Sequence, residues 1–147
     1  MRTKPRNDLE QAILAVNKNS TRETAHEMLR QYWQSAIAIP SRTPVETDLR
    51  ELTPALNEYE GTPVLYAFSD PDRATPFALQ YDTKYMAILT GRRLAGVKAP
   101  TVGVLLNPSL GDLAQYLHPG PWRWPPRRSA PTPCSRPRGM RRRSWSL

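Results

Sequence analysis

A single cysteine, Cys134, in 147 residues excludes any internal disulfide framework and fits a reducing compartment. Apolar runs stop at about six residues, far short of the roughly twenty that a helix needs to cross a bilayer. The first seven residues are polar, so no secretory leader is expected. Missing too are the phosphate-cradling patterns G-x-x-x-x-G-K-[ST] and G-x-G-x-x-G. The two histidines, His26 and His118, stand without a nearby second metal ligand or a triad partner at useful spacing. No cofactor, no metal and no catalytic set is therefore expected. These absences leave an intracellular, cytoplasmic chain of about one domain, long enough to bury roughly two-thirds of the surface its unfolded form exposes.

Acidic residues are absent from one part of the chain, and that absence explains the basic pI near 10.1 and the net charge of +8. All 13 acids lie before residue 121, where they balance the bases present there. The eight arginines of residues 121–147 meet no acid at all, so the excess charge belongs to a tail and not to a domain surface. The tail also lacks Val, Ile, Phe and Tyr while holding six prolines and three of the four tryptophans. Proline removes backbone donors and fixes φ, so disorder is expected over 119–147, as over 1–6. Arginine interleaved with tryptophan suits a nucleic-acid-binding segment, with charge on phosphates and rings on bases. The same composition is also what GC-rich DNA yields when read out of frame, or simply a solvated tail.

Between these ends the periodicity is clear. Leu9, Ala12, Ile13 and Val16 fall at i, i+3, i+4 and i+7, which predicts a helix over 8–17 capped by Asn7. Ser20 and Glu23 form an S-x-x-E capping pair for a second helix to about residue 34, with Ala25, Met28, Leu29, Tyr32 and Trp33 on its apolar stripe. Apolar runs at 36–39, 64–68, 85–89 and 102–106 read as strands. The stretch 41–60 reads as a polar loop with a weak helical turn around 48–52. Pro71 marks a helix start that Pro76 limits or forces to restart, and 92–95 suits a short helix. The expected architecture is α+β, with two N-terminal helices, then a four- to five-stranded sheet with short helices, then a disordered tail.

The segments Asn7 to Ile13, Ala36 to Pro40, Val64 to Pro71 and Val102 to Ser109 together resemble the N-terminal domain of the SseB family, the bacterial enhanced serine sensitivity proteins. The strand carrying Gly103 and running into Asn107-Pro108 is the most specific element. The chain departs from the pattern at Ser109, where a glycine often follows the Asn-Pro pair, and at Pro76 inside the third helix. The resemblance implies an SseB-type domain over 7–118 without the C-terminal domain of longer relatives. It carries no catalytic residues across, because the family is known by a serine-sensitivity phenotype.

Three loops follow apolar strands, where small folds place function. Ser69, Asp70 and Asp72 provide two carboxylates around Pro71 that can hold a cation or simply favour a helix start. Gly91, Arg92 and Arg93 combine a turn with two guanidinium groups and suit an anion or a solvated turn. Asn107, Pro108 and Ser109 suit a structural turn or a ligand contact. Cys134, in the tail, has no group to orient it as a nucleophile. The reading that follows is a non-enzymatic binding or adaptor domain whose partner is another protein. Its alternatives are nucleic-acid binding through the tail, and a small-ligand sensor or enzyme tied to amino-acid physiology.

Overall fold

Helix α1, Asp8–Lys18, begins where Asn7 turns its side chain to accept from the Glu10 N–H at 2.9 Å. Helix α2, Arg22–Gln34, starts one residue later than the Ser20 pairing predicts: Thr21 caps it, and the Thr24 hydroxyl accepts in return from the Thr21 N–H. Threonine at both positions completes the reciprocal pair without Glu23. In this computed structural model residues 4–45, 52–80, 83–120, 124–126 and 132–137 are described. The strands are β1 (Ala36–Ser41), β2 (Leu56–Tyr59), β3 (Thr62–Ala67), β4 (Tyr85–Thr90), β5 (Gly103–Leu106), β6 (Gln115–Leu117) and β7 (Cys134–Ser135). Two further helices, α3 (Pro71–Gln80) and α4 (Gly91–Val97), separate β3, β4 and β5. Among the described residues the fold is α+β, with a β1-β4 pair and a five-stranded sheet ordered β2-β3-β5-β6-β7.

The two sheets meet where Ala38 and Phe68 exchange N–H···O=C bonds of 2.8 Å in both directions. β3 and β5 run parallel, and the other ladders are antiparallel. Strand alternation then sorts the core into two layers. Ile37, Ile39, Leu65, Ala67, Val104 and Leu106 face α1, α2 and α4. Ala38, Val64, Tyr66, Phe68 and Leu105 face the other way, towards Ala74 and Phe77 of α3.

Three expectations change. Residues 41–60 are not all loop, since β2 forms there and returns through the two-residue turn Glu60-Gly61, whose φ values of 50° and 84° are those a tight hairpin requires. The turn expected around 48–52 lies outside the described residues except for Leu52. Helix α3 runs unbroken across Pro76. Pro76 is exposed, so the carbonyl it leaves unpaired can meet water, while Phe77 packs on the Tyr66 and Phe68 rings at 4.8 and 5.2 Å and holds the helix down. In the tail, Cys134–Ser135 add an edge strand to β6, so at these residues the segment expected to lack structure is paired. Its other residues beyond 126 are described only at 132, 133, 136 and 137.

Candidate functional site

The structure brings together two of the three loops that the sequence singles out. Parallel pairing of β3 and β5 brings Ser69 and Asn107 side by side just past their ends. There the Asn107 Oδ1 accepts from the Ser69 backbone N–H at 3.0 Å, and the Asn107 Nδ2 donates to the Ser69 Oγ and the Leu113 carbonyl, each at 2.9 Å. The Ser69 hydroxyl donates to Glu10 at 2.5 Å, and Arg73 reaches the same carboxylate from α3 with bonds of 2.6 and 2.8 Å. Asn7 closes the knot by donating to the Ser69 carbonyl. Burial would raise the Glu10 carboxyl, but hydrogen bonds from Arg73, Ser69 and the Arg6 N–H outweigh it and hold the group below its ordinary value.

This knot is internal. Glu10, Ser69 and Asn107 are buried, Pro108 is buried beside them, and the polar atoms are spent on one another. Asn107 takes a φ of 54°, which asparagine tolerates better than other non-glycine residues, so the turn aims its amide back into the protein. Ser109, also at positive φ, is exposed. Asp70 and Asp72 sit at the start of α3: the Asp70 carboxylate accepts from the Asp72 N–H at 2.8 Å, and Arg6 lies 3.7 and 3.8 Å from the two carboxylates. Both acids thus serve the helix terminus and a surface pair, the roles that favour acids at this position.

The third loop stands apart. Among the described residues no hydrogen bond or ion pair joins Gly91, Arg92 or Arg93 to the knot. Gly91 is buried, and a Cβ there would come within 2.4 Å of the Tyr32 carbonyl oxygen, so this glycine serves close packing of α4 on α2. Thr90 caps α4 by accepting from the Arg93 N–H at 3.2 Å, and Arg92 and Arg93 are both exposed.

Two features were not legible as sites. The first is the outer edge of β4, which among the described residues pairs only with β1. Met86 joins the α3-side core layer, and Ile88, two residues on, faces the same side at 51% exposure. Tyr85 is 44% exposed, and Leu79 at the end of α3 is 81% exposed. Leu79, Tyr85 and Met86 line a shared hollow of about 400 Å³ with Thr83 and Lys84. Residues 83–111 contain Lys84, Arg92, Arg93 and Lys98 and no acid, a local asymmetry that the neutral total of the first 120 residues conceals. The second is a larger cleft against α4, reached by the side chain of Arg92.

The candidates for chemistry stay separate. Burial pushes the Cys134 thiol up to about 11, which leaves it protonated and a poor nucleophile. His26 packs edge-on against Trp124 at 5.9 Å, and His118 against Tyr116 at 4.6 Å. Among the described residues no group of three His, Cys, Asp or Glu side chains converges as a metal site, and no helix is long and apolar enough to cross a membrane. No family model, curated protein or solved structure matches the chain.

Proposed function

We propose that the chain is a cytoplasmic, non-enzymatic protein-binding module of the SseB type, which takes an extended acidic segment of a partner protein along the free edge of β4. The observation that carries this reading is the outer edge of β4, which has no partner among the described residues and is lined by exposed Tyr85, Ile88 and Leu79. An open strand edge offers its N–H and C=O groups to a peptide, which supply affinity, while alternate side chains enter neighbouring hollows and supply selectivity. The hollow formed by Leu79, Tyr85 and Met86 can receive one such apolar side chain. Exposed Lys84 precedes the strand and exposed Arg93 lies three residues past it, within a stretch, 83–111, that holds no acid, which supports an acidic ligand. Self-pairing of two β4 strands would bring these like charges together, which disfavours a second copy as the occupant.

Selection of a random peptide library against the full chain tests the reading. Enrichment of extended peptides that alternate apolar and acidic residues is expected. Ile88→Asp is expected to weaken the selected peptide at least about tenfold, since it removes a central apolar contact and adds a like charge. Ile88 is half exposed on an edge strand, so the variant should lose no more than about 1 kcal/mol and stay folded. Recovery of no such peptide, or equal binding by the Ile88→Asp protein, overturns the reading.

A further inference from the structure

A cleft of about 610 Å³ is lined by residues of α2, α4, the β5–β6 ladder and Trp124. Its size lies within the range of about 300–1,000 Å³ found for organic ligands and exceeds what an inorganic ion fills. Buried Val104 and Leu117 lie at its base, and the rings of Trp33 and Trp124 contribute flat apolar surface. Arg92, Lys98 and His118 also line it, and among the described residues no carboxylate does.

The charges in this cleft have no acidic partner among the described residues. Among the described residues Arg92 has no hydrogen-bond or ion-pair partner. The Lys98 ammonium donates to the carbonyls of Ala99 and Val102, which fixes its position and leaves one of its three donors. Burial lowers the Lys98 ammonium below its ordinary value, because it desolvates the charged form. An anion bound in the cleft would supply a counter-charge, and a guanidinium and an ammonium on one cleft lining suit phosphate or carboxylate oxygens equally.

We propose that this cleft binds a small organic anion carrying a flat ring, of about nucleoside-monophosphate size, with the ring against Trp33 and Trp124 and the anionic group at Arg92 and Lys98. The ring supplies the apolar contact and the charge supplies orientation. The site is separate from the β4 edge, and its test does not involve that edge.

Titration of the ¹⁵N-labelled full chain, read at the indole N–H signals of Trp33 and Trp124, tests the assignment. Adenosine monophosphate and indole-3-acetate are the probes, one for a phosphate source and one for a carboxylate source. Adenosine, indole and inorganic phosphate are the controls. Saturable shifts with a Kd below about 1 mM are expected for at least one anion, with its neutral ring and free phosphate at least tenfold weaker. Arg92 is exposed, so Arg92→Ala should leave folding intact and weaken the anion about tenfold. The assignment is overturned if neither anion shifts the indole signals, if neutral rings bind as well, or if Arg92→Ala binds as tightly as the parent chain.

Discussion

Glu10 is the residue on which three elements converge. It sits on α1, receives Ser69 from the end of β3 and Arg73 from α3, and is fully buried. Such a pair makes a small net contribution when intact, but removal of one partner strands a charge in the interior. Arg73→Ala is therefore expected to destabilise the protein by about 3–5 kcal/mol, measured by urea unfolding at neutral pH. The same pair sets an acid limit. The folded-state value of Glu10 lies below its ordinary 4.5, so the folded chain binds fewer protons than the unfolded chain in that region. Its contribution is complete above about pH 4.5 and is lost as pH falls through the depressed folded value. Glu10→Gln, which keeps the shape but cannot ionise, should be less stable at neutral pH and show a shallower loss of stability below pH 4.5. An equally steep loss in that variant would assign the acid limit to other carboxylates.

At the scale of elements, α4 shows how a glycine that reads as part of a binding turn serves packing. Gly91 opens α4 where its backbone lies against Tyr32 of α2, leaving no room for a side chain. Gly91→Ala should cost about 1–3 kcal/mol, as overpacked positions do, despite alanine's better helix propensity, and a thermal melt will show it. An unchanged midpoint would mean that α2 and α4 separate without loss. The contrast marks what the sequence conveys. The stripe from Leu9 to Val16, the cap at Asn7 and the apolar runs at 36–39, 64–68, 85–89 and 102–106 were legible because one residue type repeats at the period of the element. β2 was not, since Leu56-Asn57-Glu58-Tyr59 carries no apolar run and exists through its ladder with β3. The only local sign of it was the Glu60-Gly61 pair. Of the three loops singled out after strands, Ser69 and Asn107 do meet while Gly91–Arg93 stand apart, and the burial of that meeting was not legible, because it depends on Glu10 reaching over from a helix 59 residues earlier in the chain. The β4 edge stayed hidden because exposure of an apolar strand follows from what fails to pair with it.

At the scale of the whole molecule, the decisive question is whether residues after 120 belong to the fold. An arginine- and proline-rich passenger would add nothing to stability, and a nucleic-acid-binding arm would keep its tryptophans free for bases. Trp124 fits neither description, because its ring packs edge-on against His26 and joins the core layer under α2. Cys134 packs against the same layer from β7, and the His118 N–H donates to the Pro133 carbonyl at 2.7 Å. Truncation after Gly120 removes Trp124 and Cys134 together, reopens the outer edge of β6 and takes one wall from the 610 Å³ cleft. Partial burial of these two side chains amounts to about 2 kcal/mol, so the shortened chain should unfold at a clearly lower urea concentration than the full one. It should also lose the binding expected of the cleft while still taking peptide at β4, which lies on the other sheet. Coincident urea midpoints for the two chains would make the tail a passenger despite its contacts, whereas a lower midpoint with intact peptide binding would make Cys134–Ser135 the closing strand of the five-stranded sheet and Trp124 a structural wall of the cleft.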